Sequence, residues 1–248
     1  MSSNKESITR TLVVALVVSL VASIFVAGSA ITLKPIQEEN RLLDRQRSIL
    51  AIAGVASELS AKEVQDLFKR RIKAQVIDLS TGEKNTTFDP LKFDALKLAQ
   101  DPKTSIALSG SEDIASIKRR EQYAMVYRLE KDDGSGELEA LILPVRGYGL
   151  WSTLYGFLAI KPDLNTVIGL GFYQQGETPG LGGEVDNPKW KSLWPGKTLF
   201  EGDSQKPVIA VTKNASGEHQ IDALAGATLT SKGVDHLLQF WLGEQGFG

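Results

Sequence analysis

Charged residues recur along the whole chain except between Thr11 and Leu33, where TLVVALVVSLVASIFVAGSAITL runs without one. A helix of about 23 residues spans about 35 Å, enough for a hydrocarbon core of about 30 Å. Lys5 and Arg10 before the run, and Ala27, Gly28, Ser29 and Ala30 near its end, also fit a secretory signal. Signal cores hold about 7 to 15 apolar residues, so a retained transmembrane helix over 11–33 is the expectation. Lys34, Arg41, Arg45 and Arg47 follow the run, so the charge bias alone leaves its sidedness open.

Beyond Pro35 the pattern becomes helical and amphipathic, with Leu42, Leu43, Ile49, Leu50 and Ile52 spaced among charges. This predicts a stalk continuing from the membrane. Ser60 and Glu63 form a capping-box pair that opens a second helix reaching about Arg71. Period-two or continuous apolar runs then predict strands at Ala74–Leu79, Gln122–Glu130, Leu138–Val145, Tyr155–Ile160, Val167–Phe172 and Pro207–Thr212. The turn residues of Ser80–Gly82 and Asp132–Gly136 separate some of them. Residues 89–120 carry no clear period, and Pro90 and Pro102 interrupt them. Val234, Leu237, Leu238, Trp241 and Leu242 recur at helical spacing and predict a last helix. Strands in the middle and helices at the ends point to an α+β domain with a largely antiparallel sheet over residues 34–248.

The 248 residues carry 28 basic and 30 acidic side chains, net -2, a balance that argues against nucleic-acid binding. Without a cysteine, the chain has no disulfide, thiolate zinc site or iron–sulfur cluster of its own. His219 and His236 are too few and too separated to suggest a metal site, and read as surface residues. Gly147-Tyr-Gly149-Leu-Trp151-Ser152 resembles a dinucleotide fingerprint only in part: the third glycine is missing and a strand follows. The basic runs Lys69–Arg71 and Lys118–Arg120 read as solvated faces.

Two segments carry candidate chemistry. In the first, Asp222-Ala-Leu-Ala-Gly226-Ala227-Thr228-Leu229-Thr230-Ser231, a turn glycine and three hydroxyls precede the last helix. A helix start offers free N–H groups and partial positive charge, which suit a phosphate. Equally, Thr230 or Ser231 could simply cap the helix. The second segment is Tyr173-Gln-Gln-Gly-Glu177-Thr178-Pro-Gly180-Leu181-Gly-Gly-Glu184. It has more glycine and proline than a hairpin needs, which suits close approach of a ligand to backbone, with Glu177, Thr178 and Leu181 in contact. A long turn is the plain alternative.

Together these segments resemble the FMN-binding-domain family. Within it the chain is most similar to the C subunits of sodium-translocating NADH:quinone reductases, with the Rnf-type electron-transport subunits as a related group. The family's flavin motif is matched by Asp222, Gly226, Ala227 and Thr228, with Ala225 where Ser or Thr is usual. That departure removes one hydroxyl and leaves the acceptor in place. The ETPGLGG loop, the Gly147–Trp151 segment and the apolar anchor match as well.

The resemblance implies covalent FMN, joined through its phosphate to the Thr228 hydroxyl by a separate flavin transferase acting outside the cytoplasm. It therefore implies a bacterial inner-membrane protein with a cytoplasmic tail over residues 1–10 and a periplasmic domain over 34–248. The phosphate would rest near Leu229, Thr230 and Ser231, and the ring near Trp151, Glu177, Thr178, Gly180 and Leu181. Asp222 would present the loop or fix the turn, Trp151 could instead be an ordinary core or sheet-edge residue, and Lys213 could approach the ring or stay solvated. The implied function is an electron relay between other subunits of a membrane complex passing electrons from NADH to ubiquinone. No side chain is assigned a catalytic role and no metal site is expected. An Rnf-type subunit, or a membrane-anchored assembly module without redox chemistry, are the alternatives.

Overall fold

The uncharged run and the amphipathic stretch after it form one helix, α1, Ile8–Ile52, with Pro35 inside it. The structure, a computed structural model, describes residues 8–55, 58–90, 92–202 and 204–248, so residues 1–7 of the expected tail lie outside it. The chain divides into two compact units, one ending at Asp44 and the other running from Arg45 to Gly248. In the first unit the apolar side chains of α1 are exposed, Leu16 and Phe25 among them, and the helix is long and apolar enough to cross a membrane. Apolar surface of this extent is unfavourable in water, whereas lipid satisfies it and a helix pairs its own backbone there.

The second unit is built on a six-stranded sheet. Its strands are β1 (Ile72–Asp78), β2 (Lys84–Asn85), β5 (Tyr123–Glu130), β6 (Leu138–Tyr148), β7 (Thr153–Ile160) and β8 (Val167–Gln174). They lie in the order β2-β1-β5-β6-β7-β8, every neighbour antiparallel. Strand alternation sends β7 side chains to two faces. Leu158 and Ile160 join a core with Val234, Leu237, Leu238 and Trp241 of α5, Thr228–Leu242. Phe157 faces the other way, against Tyr127 and Tyr173, with the Arg45 guanidinium 5.6 Å from its ring centre. On β8, Gly169 and Gly171 keep the surface flat where the end of α1 lies. A Cβ on Gly169 would come 2.7 Å from the Ile52 carbonyl oxygen.

Helix α2, Ala61–Arg71, begins with both halves of the capping box: Glu63 N–H donates to Ser60 Oγ, and Ser60 N–H donates to the Glu63 carboxylate. The unperiodic stretch holds α3, Ala95–Gln100, and an antiparallel pair, β3 (Ser105–Ala107) with β4 (Arg119–Glu121); a short helix α4, Pro188–Lys191, follows the main sheet.

Three expectations are corrected. The strand expected at Pro207–Thr212 shortens to β9, Ala210–Thr212, and leaves the main sheet to pair in parallel with β10, Gln220–Asp222. The basic runs are not wholly solvated: Arg71 and Arg120 are buried, Arg71 paired with Glu139 and Arg120 donating to the Gln245 carbonyl. His219 is half-buried, its Nδ1 2.8 Å from Thr198 Oγ1, whereas His236 is exposed.

Candidate functional site

The flavin-motif segment leaves β10 and turns at Gly226, whose φ of 75° is the left-handed region glycine tolerates. Asp222 fixes the approach to this turn, its Oδ1 accepting from Ala215 N–H and its carbonyl from Trp190 Nε1. Ala227 then occupies the N-cap of α5, where no side-chain oxygen caps the helix. The N–H groups of Thr228, Leu229 and Thr230 thus have no acceptor among the described residues. Thr228, the first helical residue, is exposed, as are Leu229 and Ala225. The capping alternative for Thr230 and Ser231 does not hold. Both are buried: the Thr230 hydroxyl donates to Glu177, while Ser231 Oγ accepts from Leu224 N–H and donates to the Ala227 carbonyl.

Glu177, from the glycine-rich loop after β8, turns inward and is 5% exposed. Its carboxylate accepts from the backbone N–H groups of Leu150, Trp151 and Ser152 at 3.0–3.2 Å, and from Thr230 Oγ1 at 2.7 Å. Ser152 Oγ adds a contact at 3.3 Å and accepts in turn from Gly176 N–H. Burial by itself raises the carboxyl, but the Thr230 hydroxyl and the Trp151, Leu150 and Ser152 N–H groups outweigh it and hold Glu177 below the usual carboxylate range. Glycine makes this approach possible. A Cβ on Gly149 would come 2.7 Å from Glu177 Oε1, and one on Gly182 would come 2.5 Å from Thr230 Oγ1.

The three segments singled out in the sequence therefore meet. Around the Thr228 end, Trp151 is 66% exposed, which removes the core alternative and leaves the sheet-edge one, and Leu181 and Leu229 are also exposed. Leu181 lies over the turn, its Cδ2 3.3 Å from where a Gly226 Cβ would be. Thr178 and Gly180 are exposed beside it, and Thr178 accepts the Leu181 and Gly183 N–H groups through its carbonyl. Between Gly180, Glu184, Trp190 and Asp222–Ala225 runs a groove of about 410 Å³. Lys213 is exposed, and no polar contact ties it to the site among the described residues. A larger groove of about 740 Å³, lined by Ile77, Val126, Leu143 and Phe247 among others, includes none of the motif residues. The smaller groove borders the site through Gly180, Asp222 and Ala225, while Thr228, Trp151 and Leu181 lie outside its lining.

Sequence reasoning missed Gly233. A Cβ there would lie 2.4 Å from the Tyr148 carbonyl oxygen, and one on Gly147 would lie 2.6 Å from Leu237 Cβ. These paired glycines let α5 press against the end of β6 and carry Thr230 to Glu177. A glycine inside an otherwise amphipathic helix was the available signal.

The geometry has parallels in known proteins. Residues 149–243 match the family model of the FMN-binding domain, from the Gly149 loop through the end of α5. The chain is 64% identical over 251 residues to the C subunit of the Na(+)-translocating NADH-quinone reductase of Pseudomonas aeruginosa, covering 99% of this chain and 95% of that protein. The protein of the same name from Yersinia pestis is 47% identical over 249 residues, covering 99% and 92%. The crystal structure of Shewanella oneidensis NqrC superimposes with a TM-score of 0.76 at 38% identity, over 86% of this chain and 95% of that one. Identity at this level, spanning the apolar helix, the sheet and both motif segments alike, means that the chain belongs to the family of Na(+)-translocating NADH-quinone reductase C subunits.

Proposed function

We propose that this membrane-anchored protein carries FMN as a phosphoester on Thr228 and serves as an electron relay from NADH toward ubiquinone. Membership of its family makes it part of an oxidoreductase complex, and its matched domain is an FMN-binding one. One observation carries the attachment site. Of the three hydroxyls at the start of α5, only that of Thr228 is exposed, beside N–H groups with no acceptor among the described residues.

The residues present fit the group. A phosphate on Thr228 would be held by the helix-start N–H groups, which the Ala227 N-cap leaves open. Exposed Trp151, Leu181 and Leu229 offer apolar surface for a ring, with Thr178 and Gly180 at its edge. When bound, FMN supplies the reversible electron transfer. The chain's own part is to hold the phosphate, orient the ring and keep its attachment turn rigid through Asp222 and Ser231. A threonine hydroxyl is a weak nucleophile unaided, so a separate flavin transferase is the partner for maturation, beside the other subunits of the complex and the lipid bilayer. In this reading 11–33 spans the bacterial inner membrane, and 34–248 is periplasmic.

Denaturing electrophoresis under ultraviolet light tests the attachment. Full-length chain co-expressed with the transferase gives a fluorescent band, and the peptide containing Asp222–Lys232 carries an FMN mass on Thr228. Thr228→Val loses the band and Thr228→Ser keeps it. A wild-type chain without fluorescence, or an adduct on another residue, refutes the assignment.

A further inference from the structure

Glu177 does more than fill the glycine-rich loop. Its two oxygens receive donors from two places far apart in sequence: the Gly149–Ser152 turn and the first turn of α5. The first carries exposed Trp151, and the second carries exposed Thr228 two residues before Thr230. Gly149 and Gly182 have no side chain where the carboxylate passes, so the loop, the turn and the helix start close on one charged group. We propose that Glu177 is a positioning residue for flavin attachment, locking the Trp151 turn to the start of α5 so that the Thr228 hydroxyl is presented in one fixed orientation. This rests on the reading of Thr228 as the FMN acceptor.

A carboxylate is the side chain this position requires. It only accepts, and each neighbour only needs to donate. Glutamine is nearly the same shape, but its NH2 cannot accept. Turned toward the Leu150–Ser152 N–H groups, it sets donor against donor. Turned toward Thr230, whose hydroxyl can reverse and accept, it still leaves Leu150 N–H one acceptor fewer and a neutral oxygen where a charged one stood. Valine at position 230 separates the two halves of the clamp: it keeps the N–H bonds of the Trp151 turn and cuts the link to α5.

The test uses full-length chain in detergent with the flavin transferase and FAD, read by the initial rate of fluorescent-band formation. Hydrogen exchange of the Leu150, Trp151 and Ser152 amides is measured in parallel. Loss of a charged hydrogen-bond partner corresponds to about tenfold or more, so Glu177→Gln should load about tenfold more slowly and expose those amides by a similar factor. Thr230→Val should slow loading while leaving the amides protected, and Glu177→Asp should fall between Glu177→Gln and wild type. Wild-type loading rates in Glu177→Gln or in Thr230→Val overturn the proposal. So does undiminished amide protection in Glu177→Gln. Should Glu177→Gln fail to fold, the Thr230→Val rate decides alone. Failure of the underlying reading looks different: the wild-type chain would form no band, or Thr228→Val would retain one.

Discussion

Removing a carboxylate from water costs several kcal/mol unless protein donors replace the lost hydration. At Glu177 the replacement is nearly complete, which is why the carboxyl lies below rather than above its ordinary range despite 5% exposure. This fixes the sign of the pH dependence. A carboxyl depressed in the folded state adds stability above its unfolded value of about 4.3, and that contribution disappears as pH falls through the folded value. Wild type should therefore exceed Glu177→Gln in urea midpoint at neutral pH, with the gap narrowing below about pH 4 as Glu177 gains its proton. A gap independent of pH would mean that the carboxylate charge contributes nothing. Thr228, Asp222 and the glycine-rich loop were legible as motif residues. The inward turn of Glu177 was not, because its donors lie 25 to 53 positions away and no local pattern announces them.

Elements meet at the site because α5 crosses the end of β6 at backbone distance. Gly233 faces the Tyr148 carbonyl oxygen and Gly147 faces Leu237. Gly233→Ala poses two opposed effects. Alanine favours the helix by up to about 1 kcal/mol, whereas overpacking costs about 1 to 3 kcal/mol. The added Cβ would sit 2.4 Å from backbone, which cannot swing aside like a flexible side chain, so the second effect wins. Gly233→Ala should lower the unfolding free energy by about 1 to 2 kcal/mol, read by urea titration. A more stable variant would show that the helix does not press on the strand. The periodic elements were readable in advance, since α5, β5, β7 and the capping box of α2 rest on local patterns. The β9–β10 pair was not: three residues show no alternation, and parallel pairing is a tertiary fact. Arg71 and Arg120 looked solvated because burial of an arginine depends on partners such as Glu139 and the Gln245 carbonyl.

At the scale of the whole molecule, a helix carrying an uncharged run precedes a domain whose chemistry depends on which side of the membrane it occupies. Charge does not answer this. Lys5 and Arg10 lie before the apolar run, while Lys34, Arg41, Arg45 and Arg47 lie after it, so positive charge flanks both ends and does not place the domain outside. Against the charge after the run stands the length of the domain after the helix: domains of this size translocate largely regardless of flanking charge, and the bias counts mainly over short loops. The proposed maturation adds a direct constraint, because a transferase acting outside the cytoplasm can reach Thr228 only if the domain is there too. Domain length removes the objection from charge, and the proposed maturation is what favours a periplasmic domain. Alkaline phosphatase fused after Gly248, active only when exported, should be active in whole cells, and a fluorescent protein that matures only in the cytoplasm should stay dark at the same position. Replacing Lys34 and Arg41 with glutamine should leave both reporters unchanged if domain length governs. A bright cytoplasmic reporter would refute the periplasmic assignment, and with it any attachment of FMN by an exported enzyme.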